Sequence, residues 1–225
     1  MKTLRRFLGL LFCCAALVPV PLSAGGQWLL YPLARAFGGP SEAELAKCRT
    51  AFARLKADFP SSRVLVQPAL IRPGAGLPDD RNSWRPHLAD NLVQALRAEG
   101  GVGAYRSVEV RSAVAAVGAT PFGHNQLRYL WTRAAEYGRC VRESHPAGDY
   151  VLFFEIFGSR SEVGAIQVFV FDASGQLAYC RLFNSHQFGP HLDRSGDAAV
   201  RLIAERLLGD LRKAPEEVFP PYGVG

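Results

Sequence analysis

Residues 149–183 read DYVLFFEIFGSRSEVGAIQVFVFDASGQLAYCRLF, and the fold is decided here. Asp149–Phe157, Gly164–Phe171 and Gln176–Phe183 are rich in the aromatic and β-branched residues that fit a pleated surface. Asp172-Ala173-Ser174-Gly175 joins the second and third runs, with glycine where a tight hairpin needs positive φ. Three strands in succession predict an antiparallel meander. In the first, Tyr150, Leu152, Phe154 and Ile156 point one way, and Val151, Phe153, Glu155 and Phe157 the other. The second set, extended by Phe169 and Phe171, is a surface for a covering helix or else an apolar patch for a partner. Helix cover is the expectation. Glu155, a carboxylate among aromatics, is a candidate buried acid.

Upstream, Ser41-Glu42-Ala43-Glu44 is a capping box, and Leu45, Cys48, Phe52, Leu55 and Phe59 follow at helical spacing until Pro60. Arg63–Ile71 reads as a buried strand in which Pro68 marks a bulge or an edge. The stretch 72–82 is a loop. A helix from about Ser83 buries Leu88, Leu92 and Leu96 and stops at Gly100-Gly101. Tyr105–Val110 alternates as a strand, and 112–119 is ambiguous. Leu127, Leu130, Trp131, Ala134, Tyr137 and Val141 line one side of a helix over about 125–143. Downstream, a last helix spans about 195–213, with Val200, Ile203, Leu207 and Leu211 inward. The order α, β, α, β, α, β-β-β, α predicts an α+β fold. Its sheet is mixed or antiparallel, with helices mainly on one face.

The first residues predict export. Met1–Arg6 is a short basic head, Phe7–Ala24 carries no charge, and Pro19 and Pro21 precede the small residues Ser23-Ala24-Gly25-Gly26. That layout is a secretory signal peptide with cleavage near Ala24. The alternative is an uncleaved anchor, since about 18 apolar residues can just cross a bilayer. Lipidation is disfavoured because Phe12 precedes Cys13 and Cys13 precedes Cys14. Arg5-Arg6 needs no twin-arginine reading. The expected organisation is a signal peptide at 1–24, a linker at 25–40, a single α/β domain at 41–213, and a loose Pro- and Gly-rich tail at 214–225.

The 225 residues carry a formal charge of +6, of which Lys2, Arg5 and Arg6 leave with the leader. The remaining +3 is too weak for a nucleic-acid partner, and membrane contact is expected only if the leader is retained. A hydrophobic content of 48% is enough for a real core. After cleavage Cys48, Cys140 and Cys180 remain. In an oxidising compartment two of them could pair; three buried free thiols are the other reading. No CxxC is present.

Asp149-Tyr150-Val151-Leu152, the meander ending in FVFDASGQLAY (169–179) and the closing helix AAVRLIAERLLGDL (198–211) carry a resemblance. So does an opening strand with Val64-Leu65-Val66-Gln67-Pro68. Over about residues 62–213 the chain resembles the amino-terminal domain of the Tol-system periplasmic protein TolB and its relatives. These include curli-secretion-type lipoproteins and lipoprotein activators of cell-wall synthases. The resemblance implies an envelope protein that docks to other proteins, and it brings no catalytic residues. No β-propeller follows and no lipidated cysteine matches.

Several groups remain that chemistry could use. His186, His191 and Asp193 lie between the meander and the last helix, with Asp197 and Cys180 in reach. Two imidazoles and a carboxylate are ligand types for zinc, although H-x-x-x-x-H is not the i, i+4 pair of a helical site. The plainer role is a polar loop whose Asp193 or Ser195 caps the helix. Ser185-His186 with Asp193 lacks a G-x-S-x-G elbow. Cys140 lies between Arg139 and Arg142, which could lower a thiol's pKa. Gly74-Ala75-Gly76 is not a nucleotide loop, because Asp79 stands where the third glycine belongs. The expectation is an exported, non-enzymatic interaction or assembly-accessory module with no predicted cofactor and an unidentified envelope partner. The alternative is a secreted enzyme or a metal- or small-ligand-binding protein built on the His186/His191/Asp193 loop.

Overall fold

The computed structural model describes residues 39–67, 70–73, 84–99, 104–107, 126–158, 163–184 and 197–220. The leader, the 74–83 and 108–125 segments, and the His186/His191/Asp193 loop lie outside the described residues.

Helix α1, Glu42–Asp58, begins as its sequence dictates. The Ser41 hydroxyl accepts from the Glu44 N–H at 3.2 Å, and the Glu44 carboxylate accepts from the Ser41 N–H at 2.6 Å. These bonds hold the Glu44 carboxyl below its usual range. A single turn of 3-10 helix, Phe59–Ser61, then leads into β1, Arg63–Val66. The expected strand over 63–71 is two strands, since β2, Leu70–Pro73, resumes beyond Pro68. Both pair in parallel with one neighbour, β4, Tyr150–Gly158. Pro68, the expected bulge or edge, lies with residue 69 outside the described residues.

Helix α2, Trp84–Ala98, crosses to β3, Ala104–Ser107, which lies parallel to β1. Helix α3, Gln126–Ser144, returns the chain to β4 on the other side of β1. Strands β5, Val163–Asp172, and β6, Leu177–Asn184, complete the antiparallel meander. The sheet order is β3-β1-β4-β5-β6, with β2 also on β4, so the six-stranded sheet is mixed. Helix α4, Asp197–Asp210, and a last turn α5, Pro215–Val218, close the described chain.

The two crossovers explain where the helices go. Connections between parallel strands are right-handed. One runs from β1 outward to β3 and the other back past β1 to β4, so their helices fall on opposite faces. Leu152, Val170 and Tyr179 are lateral neighbours on one face. There Phe52 of α1 stacks on Tyr179 at 6.4 Å, α4 supplies Asp210 to the same tyrosine, and α2 packs against α4. On the other face α3 lays Tyr137 flat on Phe153, with ring centroids 4.8 Å apart and planes 2° from parallel. Among the described residues, α1, α2 and α4 therefore share one face and α3 covers the other. The aromatic surface of β4 is a helix-covered core.

The tail expected to be loose over 214–225 is packed as far as residue 220, and 221–225 lie outside the described residues. Val218, Phe219 and Pro220 are buried, Phe219 meets Phe52 edge-on at 6.3 Å, and the Phe219 carbonyl accepts from Arg49 Nε at 2.6 Å. One large aromatic with an open site on α1 outweighs the disorder tendency of the Pro and Gly around it.

Helix α3 touches the β5–β6 turn backbone to backbone. Asp172 Oδ1 accepts from Ser174 N at 2.9 Å and Gln176 N at 3.0 Å, and Gly175 adopts φ +76°. A Cβ on Gly138 of α3 would stand 2.5 Å from the Gly175 carbonyl oxygen. Gly138→Ala should therefore destabilise the protein by about 1–3 kcal/mol in urea unfolding, although alanine is the better helix former. Equal or greater stability would mean that this contact yields.

Candidate functional site

Among the described residues each face of the sheet holds one buried acid, and each acid meets a tyrosine hydroxyl and an arginine. On the α3 face Glu155 is fully buried and accepts from the Tyr137 hydroxyl. Arg133, also fully buried, places Nε 3.5 Å from Glu155 Oε1 and Nη1 2.5 Å from Glu136 Oε2. Tyr137 is held between Phe153 and Phe169, whose ring lies 5.5 Å away at 70°. Beside Glu155 across the strands sits Gln167, whose buried Oε1 finds no hydrogen-bond partner among the described residues. On the opposite face Asp210 is 2% exposed. It accepts from the Tyr179 hydroxyl at 3.0 Å and pairs with Arg181 at 3.4 Å and Lys213 at 2.6 Å. Burial, then the Asp210 charge, drives the Tyr179 pKa well above its ordinary value.

These groups are arranged for cohesion. Two charges taken out of water cost several kcal/mol each, and that cost is offset only by close partners that fill the remaining hydrogen-bond positions. Glu155 was legible as a candidate buried acid, but its partner Arg133 was not singled out. The signal was present: Arg133 lies on the inward stripe with Leu130, Ala134 and Tyr137. An arginine inside an apolar stripe, opposite a strand face holding one glutamate, predicts the pair. Asp210 carries the same signal on the stripe of Ile203 and Leu207.

Cys48, Cys140 and Cys180 are free thiols, the first two buried and the third partly so. Burial, then the Glu44 charge, pushes Cys48 up to about 12, and burial pushes Cys180 up as well. Both thiols stay protonated at neutral pH, so neither is poised as a nucleophile. Among the described residues no cluster of three His, Cys, Asp or Glu side chains could hold a metal, and no helix is long and apolar enough to cross a membrane.

Among the described residues a cleft of about 470 Å³ lies between the start of α1, α3 and the β5–β6 turn. Cys48, Ala134, Phe171 and Leu177 form an apolar floor, while half-buried Trp131 and exposed Lys47 and Arg142 stand at the rim. A second hollow of about 400 Å³ adjoins it across Lys47 and Gln176 and runs along α1 to Arg54. Residues 44–54 thus meet residues 131–142 and 171–177. No local motif announces a site assembled from segments so far apart.

Two measurements check these arrangements. Removing one member of the Glu155–Arg133 pair, as in Arg133→Met, should cost about 3–5 kcal/mol of unfolding free energy. Arg133→Met with Glu155→Leu should recover most of it, and a double variant no better than the single would show that the pair is not the source of the loss. Alkaline pH gives the second. Tyr150, desolvated and near Asp58, is raised from 10.0 to about 12, and Cys48 from 9.0 to about 12. The folded state holds these protons more tightly than the unfolded chain. Their contribution is complete below about pH 9 and falls as pH rises toward about 12. Chemical denaturation at stepped pH should show that decline, and a flat profile across the window would refute it.

No family model matches the chain, and no curated protein matches it. Among solved structures, a hypothetical protein from Chlamydia trachomatis is similar at 14% identity and a TM-score of 0.36. That match covers 71% of this chain and 97% of the other.

Proposed function

We propose that this chain is an exported cell-envelope protein whose α/β domain docks another protein without performing chemistry of its own. The observation that carries the reading is the open cleft between α1, α3 and the β5–β6 turn. Its apolar floor lies beneath a half-buried tryptophan and an arginine, residue types in which protein interfaces concentrate their binding energy. Cys48, the thiol in that floor, stays protonated and acts as packing. The basic head, apolar middle and small-residue exit of residues 1–26 support export. The resemblance to the TolB amino-terminal domain supports docking as the mode of action.

Thr132 is exposed at the cleft rim, which makes it a suitable reporter position. A photo-crosslinking amino acid at 132 in the full chain, activated in living cells, should yield one discrete adduct with an envelope protein. The same probe at exposed Glu205 on α4 should not. Trp131→Ala should weaken the adduct at least fivefold. Failure to form any adduct at 132, or equal adducts at 132 and 205, would overturn docking at this cleft.

A further inference from the structure

The two adjoining hollows form one groove, and its charges are not balanced in the way its composition suggests. Glu44 and Asp172 are its acids, and their hydrogen-bonding positions are taken up locally while their negative charges remain, that of Glu44 facing Lys47. Glu44 accepts from the N–H and hydroxyl of Ser41, and Asp172 Oδ1 accepts from Ser174 N, Ser174 Oγ and Gln176 N. The three cations are differently placed. Lys47 and Arg54 are exposed and make no hydrogen bond or ion pair among the described residues. Arg142 makes a single long bond of 3.5 Å to the Gly175 carbonyl. With three cations against two carboxylates the groove keeps a net positive charge, and its cations have hydrogen-bonding capacity to spare around an apolar floor.

We infer that the groove takes an extended acidic segment of a partner protein, with carboxylates on Lys47, Arg54 and Arg142 and one apolar side chain on the floor beside Trp131. The inference rests on the docking reading and names the chemistry of the partner. Geometry sets the spacing. Lys47 and Arg54 stand seven residues apart on one helix, about 10 Å at 1.5 Å per residue. An extended peptide advances about 3.3 Å per residue. Acidic residues three positions apart therefore match the two cations. A concave, apolar-floored groove suits a peptide strand better than the flat plane of a membrane.

The test uses the full chain, immobilised and panned against a phage-displayed library of random 12-residue peptides. Selected peptides should be enriched in Asp and Glu at three-residue spacing next to an apolar residue. In fluorescence anisotropy, the best labelled peptide should bind at least tenfold more tightly than its version with Asp and Glu replaced by Asn and Gln. Lys47→Glu and Arg54→Glu should each weaken binding at least fivefold. Both positions are exposed, and an unchanged circular dichroism melt would confirm folding. No enrichment, enrichment of neutral or basic peptides, or binding unaffected by the charge reversals would overturn the inference. So would phosphatidylglycerol vesicles that bind the chain through the same lysine and arginine while acidic peptides do not. A cellular adduct at position 132 that survives both reversals would sink the acidic partner and leave docking standing. Loss of the adduct in the reversals alone would support the acidic partner, and absence of any adduct at 132 in the chain without them would remove docking itself.

Discussion

From Tyr150 to Glu155 the central strand has water on neither face, and the rest of the architecture answers that constraint. β4 pairs with β1 and β2 on one edge and β5 on the other, so its backbone is satisfied within the sheet. Its side chains from Tyr150 to Glu155 are all buried. A strand buried on both sides needs a layer above and a layer below. The opposite crossovers through α2 and α3 supply them. Because α3 is the long helix on its face among the described residues, its inward side must match that face residue by residue. Tyr137 therefore lies flat on Phe153, and Arg133 reaches Glu155.

The same logic explains the paired acids. A buried carboxylate paired with cations still has oxygen lone pairs to satisfy, and a tyrosine hydroxyl fills such a position at little conformational cost. Glu155 and Asp210 each have this arrangement, on opposite faces. The pairs also set register. A one-residue slip of β4 would carry Glu155 to the face of Phe52 and Tyr179, where Arg133 could not follow.

Much of the fold was legible because it rests on local patterns. The capping box at Ser41, the alternation through β4 and β5, and the stripes of α1 and α3 each state their element within one short window. What escaped was decided at longer range. Pro68 marked an irregularity, but that strands on both sides would pair with β4 depends on residues more than 80 positions away. Phe219 lies in a stretch whose composition says loose, and only the ring of Phe52 makes it a core residue. The site was less legible still. Glu155 could be picked out as a charge in a strand, whereas the groove exists only once α1, α3 and the β5–β6 turn come together. The histidine loop lies outside the described residues.

The contact between Gly138 and Gly175 has a consequence for how the groove can vary. Because main chain meets main chain there, the aperture between helix and turn is set by atoms that every residue shares. Substitutions at Lys47, Trp131, Thr132 or Arg142 can alter what the rim recognises without moving the jaws apart. Such a calliper lets related chains diverge in partner choice while keeping one frame. It also makes those two small residues the positions where an otherwise permissive rim has no latitude.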